Sequence, residues 1–444
     1  MPESEQNKQS NFMIEKIKER PVNKKKLIRR TITTAAMAVI FGLIACFTFL
    51  VLEPVISNWL YPEEEPQIVV FPEDQEEMSP EEMLSDNMQQ EQQAGKAEEA
   101  GQALGLNDEQ IENLLSEITL NKENYKQLYS VLSDYVKELN QSIVTITAVS
   151  SDLDWFNNVQ ESSNQVSGLI IANNGKEILI LTEYKPLKKA ENLTLTFYNG
   201  TEAEAQLKGK DTATNMAVIS VDINTLSKEF VEKEVKIASL GSSGLSSLLG
   251  TPAVALGSPM GSNGSIGYGM ICYMSGQQTG EDTFYKLLQT DIPCSQNGGG
   301  FLFNMQGQVI GIITPGKSGT DMKNMVTVYG ITEMKKRIEK MSNGESFACL
   351  GITGVDVTKK ANEELNVPYG AYVTEVRMNS PAMLAGIRQG DVVTGIKDNE
   401  IGSFKEYVNS LLQCKAGETV KITVMRQVQS GYKELTFSVA LGEQ

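Results

Sequence analysis

Apolar residues recur along the chain in three rhythms. From residue 142 onward, short runs of alternating or continuous β-type residues dominate, separated by Gly, Asn and Asp turns: "SIVTITAV", "SGLIIANNGKEILILT", "NLTLTFYNGTEAEAQLKG", "MAVISVDI", "TPAVALGSP" and "GQVIGIIT". This alternation and turn spacing predict an all-β barrel or sandwich domain over 141–340. Upstream, Ile111, Leu114, Leu115 and Ile118, then Leu128, Val131, Leu132, Tyr135, Val136 and Leu139, recur at helical spacing and predict a helical segment over 107–140. These stripes read as packing faces, since the sustained heptads of an oligomerisation stalk are missing. The end of the chain, 346–444, mixes strands with two helices and is long enough for a separate small α+β domain.

The third rhythm is an uncharged run, "TITTAAMAVIFGLIACFTFLVL", over 31–52. At about 1.5 Å of rise per residue it spans a hydrocarbon core of about 30 Å and predicts a transmembrane helix. The basic segment 1–30, ending in "KKKLIRR", predicts a cytoplasmic N-terminus and a single-pass cell-membrane protein with its bulk extracytoplasmic. A cleaved signal peptide is the weaker alternative, because the apolar run is long and no A-x-A-like site follows it.

Charge sharpens this division. The formal net charge is −17, concentrated after the apolar run, and so acidic a bulk argues against nucleic acid as a partner. Residues 53–106 are rich in Glu, Gln and Pro, and read as an acidic disordered linker. Of the five cysteines, Cys46 lies in the expected span. The spacing of Cys272, Cys294, Cys349 and Cys414 matches no metal site, and they remain either bridged or free.

Longer motifs then resemble those of the HtrA family, trypsin-like serine proteases followed by a PDZ domain; the resemblance covers roughly 125–444. "LTEYKPL" is similar to the family's "LTNNHVI", which puts Lys185 at the catalytic histidine. "GKDTATNMAVISV" looks like "SDPKTDLALLKI", with Asn215 at the catalytic aspartate. "AVALGSPMGSNGSIGYGMI" looks like the second-barrel "AIGNPFG…TSGIV", and "NGGGFLFNMQGQVIGI" is similar to "NSGGPLLNLDGEVIGI", with Gly298 at the nucleophile. The resemblance thus implies a trypsin-like double β-barrel, working without cofactor or metal, in which all three triad positions are replaced.

The triad mechanism needs an oxygen nucleophile, an imidazole base and a carboxylate that orients it. Glycine offers no nucleophile, the chain contains no histidine, and asparagine lacks the charge. The loop from Gln289 to Gly298 is also one residue shorter than in the family, with Gln296 in place of its first glycine, which argues against an intact oxyanion hole. A substitute nucleophile, Cys294 or Ser295 with Lys185 as base, is the rival reading. Ser295 stands three residues upstream of the required position.

In the last segment, "SPAMLAGIRQGDVVTGIKDNEI" closely matches the family's PDZ motif "SPAAKAGLKPGDVITAINGKPV". "FACLGI" resembles its carboxylate-binding loop, which implies that Leu350, Gly351 and Ile352 present backbone N–H groups to a peptide C-terminus. The helix "SFKEYVNSLLQ" then lines the groove or fills the core through Tyr407, Val408, Leu411 or Leu412. Cys349 and Cys414 come near each other, open to a bridge. The expectation is a membrane-anchored pseudoprotease that binds peptide or protein C-termini, as a homotrimer or in mixed assembly with active relatives. An active endopeptidase and a purely structural envelope scaffold are the alternatives.

Overall fold

The computed structural model describes residues 29, 32–48, 66–72, 74, 122–153, 159–314, 324–429 and 431–444. Residues 32–48 are helical with exposed side chains. Among the described residues no helix is long and apolar enough to cross a membrane. The expected transmembrane span is therefore not supported, and 31 and 49–52 lie outside the described residues. The same holds for the first helical stripe, 107–120, and for most of the linker.

Helix α1 (Lys122–Leu139) leads into the first barrel. Only its end packs: Val136 and Leu139 are buried, whereas Tyr125, Leu128, Tyr129 and Val131 are exposed. The expected packing face is thus confined to the last turns, where the Tyr135 hydroxyl accepts from Gly307 N–H at 2.8 Å and donates to the Asn304 carbonyl.

Six antiparallel strands close the first barrel in the order β1-β2-β3-β6-β5-β4. They are β1 (Ile143–Leu153), β2 (Val159–Asn173), β3 (Glu177–Glu183), β4 (Asn192–Thr196), β5 (Glu202–Asp211) and β6 (Met216–Asp222). The short helix α2 (Lys228–Lys233) and strand β7 (Ser239–Leu240) follow.

The second barrel uses β8 (Pro252–Ser258), β9 (Ser265–Met274), β12 (Leu287–Pro293), β13 (Gly299–Asn304), β14 (Gln308–Ile313) and β15 (Met325–Gly330). It closes through the β13–β14 and β13–β8 pairings. A small hairpin, β10 (Gln278–Gly280) and β11 (Thr283–Tyr285), interrupts it.

Continuous apolar strands mark where both sheet faces are covered. In β3, Ile178 and Ile180 fill the first barrel, while Leu179 and Leu181 pack in the core shared with the second. β8 repeats the pattern, with Ala253 and Ala255 inside its own barrel and Val254 and Leu256 in the shared core. Each fully buried Leu or Ile contributes about 1.5–3 kcal/mol, so the shared core is what holds the barrels, and the cleft between them, in register.

Helix α3 (Ile331–Ser342) ties the molecule together. Ile331, Met334, Ile338 and Met341 enter the shared core. Three of its cations, Lys335, Arg337 and Lys340, are buried as well, because each is paired. Lys335 binds Asp74 and the Pro72 carbonyl. Arg337 binds Asp211 at 2.7 Å and the Asp282 carbonyl at 2.7 Å. Lys340 donates to the Leu412 and Cys414 carbonyls at 2.7 and 3.2 Å. Residues 66–72, within the expected disordered linker, run extended along this helix; Val69 is buried and exchanges two hydrogen bonds with the Asn343 side chain. The linker reading does not extend to them.

The C-terminal domain carries β16 (Ala348–Cys349), β17 (Ile352–Asp356), helix α4 (Lys359–Leu365), β18 (Ala371–Val376), helix α5 (Pro381–Ala385), β19 (Val392–Ile396), β20 (Asn399–Glu400), helix α6 (Phe404–Leu412), β21 (Thr419–Val428), β22 (Gly431–Ala440) and β23 (Gly442–Glu443). Its main sheet runs β17-β18-β19-β21-β22, leaving β17 at an edge. The motif "SPAMLAG" is a capped helix: the Ser380 hydroxyl accepts from Met383 N–H, Pro381 opens the first turn, and Gly386 closes it at φ +93°. Asp391 of the same motif pairs with Arg426 at 2.7 Å.

Candidate functional site

A cleft of about 770 Å³ between the barrels is lined by Glu183, Lys185, Asn215, Ser258, Gln296 and Gly298, among others. Lys185, Asn215 and Gly298 therefore line one cleft. Lys185 is exposed at the head of a short helical turn. Asn215 sits at φ +59°, a left-handed conformation that Asn tolerates. It holds the turn by accepting from Lys185 N–H at its side-chain oxygen (2.8 Å) and from Tyr184 N–H at its carbonyl (3.0 Å). Asn215 thus orients a backbone turn.

Gly298 is buried, and its N–H donates to the Ser295 carbonyl at 2.9 Å. Asn297 N–H points to the Ser295 hydroxyl at 3.4 Å. An oxyanion hole needs such donors free and converging on the developing charge; here the loop uses them internally. A Cβ at Gly298 would run into the Pro259 carbonyl oxygen and come within 2.7 Å of Cys294 Sγ. The loop therefore leaves no room for a side chain at this position. Gly300 has a different reason to be glycine: at φ +112° a Cβ there would meet the Leu256 carbonyl oxygen of β8.

Cys294 is buried, and burial, with Glu183 nearby, pushes its thiol up to about 11. It is therefore a protonated thiol at neutral pH, unlike an activated nucleophile. Cys272, Cys294, Cys349 and Cys414 are all free, so Cys349 and Cys414 form no bridge.

Glu183, at the end of β3, is a cleft residue that the sequence reading passed over. Its carboxyl rests against Gly299, whose missing Cβ leaves it room. Burial raises it from its ordinary 4.5 to about 7, against the pull of Lys185. A raised carboxyl pKa means that the folded state holds the proton more tightly, so stability is full below about 4.5 and falls as pH rises through about 7. Glu183→Gln is expected to unfold at higher urea than the wild type at pH 8, by about 1–3 kcal/mol, with the difference vanishing near pH 4.5. Equal midpoints at both pH values would show that Glu183 is ionised at no cost.

The second candidate site is the loop before β17. Its N–H groups converge on an internal carboxylate. Leu350 and Gly351 N–H donate to Asp282 Oδ2 at 2.8 and 2.6 Å, and Ile352 N–H donates to Oδ1 at 3.2 Å. The Tyr407 hydroxyl donates to the same Oδ1 at 2.5 Å. Burial, with Asp282 beside it, holds the Tyr407 phenol well above its usual range, which keeps it a donor. Tyr407, Val408 and Leu411 are core residues and Leu412 is partly buried.

Glu281, Asp282 and Cys349 bring ligand-type atoms within 4.8 Å of one another. Metal ligation needs a thiolate, whereas burial and Asp282 push the Cys349 thiol up to about 12. Asp282 is already held by four donors, so this group does not fit a metal.

Comparison with known proteins finds relatives for both folded parts. The trypsin-like peptidase domain profile matches residues 166–312, and the PDZ domain profile matches residues 348–441. Serine protease Do-like HtrA of Bacillus subtilis (strain 168) is 27% identical over 346 residues, covering 71% of this chain and 73% of its own. A Haemophilus influenzae protein named as a probable periplasmic serine protease do/HhoA-like is 29% identical over 273 residues, 60% of this chain and 56% of its own. Among solved structures, the HtrA-type protease AlgW with a decapeptide shares the fold at a TM-score of 0.50 and 20% identity, over 70% of this chain and 98% of that one.

Proposed function

From the premise that this chain is an HtrA-like protein, a trypsin-fold peptidase domain followed by a C-terminal PDZ domain, we propose that it binds peptides or unfolded chains at the cell envelope without cleaving them. The observation that carries this reading is Gly298, which offers no nucleophile, donates its N–H to Ser295, and has no room for a Cβ. Removal of a complete triad costs on the order of 10⁶ in kcat in a well-studied serine protease, which leaves at most binding and residual electrostatic effects. Cys294 and Ser295 do not restore the chemistry: the one is a buried protonated thiol, and the other turns its hydroxyl toward Gly261 and Asn297.

Envelope placement accords with the periplasmic designation of the Haemophilus relative. Attachment through residues 31–52 rests on the uncharged run and the basic residues before it. The peptide-binding element is the loop of Leu350, Gly351 and Ile352, beside the edge strand β17, to which an extended C-terminus would add as a strand. Assembly as a homotrimer, or with active relatives, belongs to the same proposal.

The full chain treated with a fluorophosphonate probe and with a thiol-directed active-site probe is expected to remain unlabelled in the cleft. Saturable labelling that disappears in Lys185→Ala would establish a working nucleophile and overturn the proposal.

A further inference from the structure

The hairpin β10–β11 belongs to the second barrel by sequence, yet its tip lies in the C-terminal domain. Asp282 at the turn has φ +48° and presents two groups to the loop before β17. Its carboxylate receives the N–H groups of Leu350, Gly351 and Ile352, and its own N–H donates to the Ile352 carbonyl at 2.9 Å. A terminal residue added to the edge of β17 would make this same pair of contacts, carboxylate to the loop and N–H to the first carbonyl of the strand.

Three further contacts fix the hairpin there. Phe284 is buried in the core of the C-terminal domain, in the cluster that includes Leu350, Tyr407 and Leu411. Arg337 grips the Asp282 carbonyl, and Glu281 pairs with Arg377 at 2.7 Å. The hairpin packs against both β17 and α6, the two walls between which a peptide would lie.

We infer that Asp282 is the internal ligand of the PDZ carboxylate loop, so that a peptide C-terminus binds this protein only by displacing the β10–β11 hairpin. This rests on the PDZ reading proposed above and adds the competition to it. An occupied site lowers apparent affinity by the fraction of molecules in which the site is open. The ligand class is accordingly a chain end with a free α-carboxylate, able to outbid a built-in side-chain carboxylate held by three amides and a phenol.

Asn and Gly both accept positive φ, so Asp282→Asn and Asp282→Gly remove the carboxylate while suiting the turn. The probe is an N-terminally fluorescent degenerate decapeptide pool with a free C-terminus, with its C-terminally amidated twin as control. Titrated by anisotropy into the full chain, the free-acid pool is expected to bind both variants at least tenfold more tightly than the wild type. The amidated pool should gain nothing. Hydrogen exchange supplies a second readout: Leu350, Gly351 and Ile352 amides should be protected in the peptide-free wild type, exposed in the variants, and protected again by the free-acid pool.

Equal carboxylate-dependent binding by wild type and variants would leave the PDZ reading standing and overturn self-occupancy. Absence of binding to every form, with these amides still unprotected in the variants at saturating pool, would overturn the PDZ reading itself.

Discussion

Arg337→Ala is expected to lower the free energy of unfolding by about 3–5 kcal/mol, the usual result of removing one partner from a buried ion pair. Arg337 and Asp211 have side chains only 3% and 0% exposed. Without the guanidinium, the Asp211 carboxylate retains the Thr214 hydroxyl and the Ala213 N–H but no compensating charge. The Asp282 carbonyl loses its donor as well. Urea titration at pH 7 measures the loss, and the double variant Arg337→Met with Asp211→Leu should recover most of it, because a well-packed apolar pair replaces a buried ion pair at little cost. A single-variant loss below about 1 kcal/mol would mean that water reaches the pair and screens it.

Restoring the triad is expected to fail. In the triple variant Lys185→His, Asn215→Asp, Gly298→Ser, peptide hydrolysis should stay on the order of 10⁶ below that of a working triad. The three side chains would be present in name, but the new serine Cβ meets the Pro259 carbonyl, and the Gly298 N–H is already bonded to Ser295. Moving the loop to admit it should also destabilise the protein by about 1–3 kcal/mol, as overpacking does. Hydrolysis of a casein or peptide substrate within about a hundredfold of a working triad would show that side-chain identity alone separates this cleft from an active one.

These expectations divide along what the chain states locally. The barrels were legible because strands such as β3 and β8, apolar on both faces, can only be central. That Lys185, Asn215 and Gly298 share a cleft was legible because they lie inside long motifs with fixed glycines and strand patterns. The "SPAMLAG" segment was legible because its serine, proline and glycine are themselves the capping signals.

Asp282 was not legible. An acidic residue after "TGE" reads as a solvated turn, and its three amide donors lie 68, 69 and 70 positions away. Glu183 was hidden in the same way, since its burial arises from Gly299 on the other barrel. In α3, "KKRIEK" has the composition of a solvated helix face; only the tertiary placement of Asp74, Asp211 and the Leu412 carbonyl buries Lys335, Arg337 and Lys340. The strap at 66–72 did carry a signal: "QIVVFP" is an apolar island in acidic surroundings, and such islands need a surface to cover.

That strap has a mechanical consequence. Tension applied to the chain ahead of residue 66 is received by the Gln67 N–H bond to the Asn174 carbonyl, by the two bonds between Val69 and Asn343, and by the Asp74–Lys335 pair. Two of these three attachments are on α3 or the residue that ends it, whose other cations grip the first barrel, the hairpin carbonyl and the C-terminal domain. A pull there therefore arrives at the junction of the two barrels and the C-terminal domain, on the helix whose Arg337 donates to the Asp282 carbonyl.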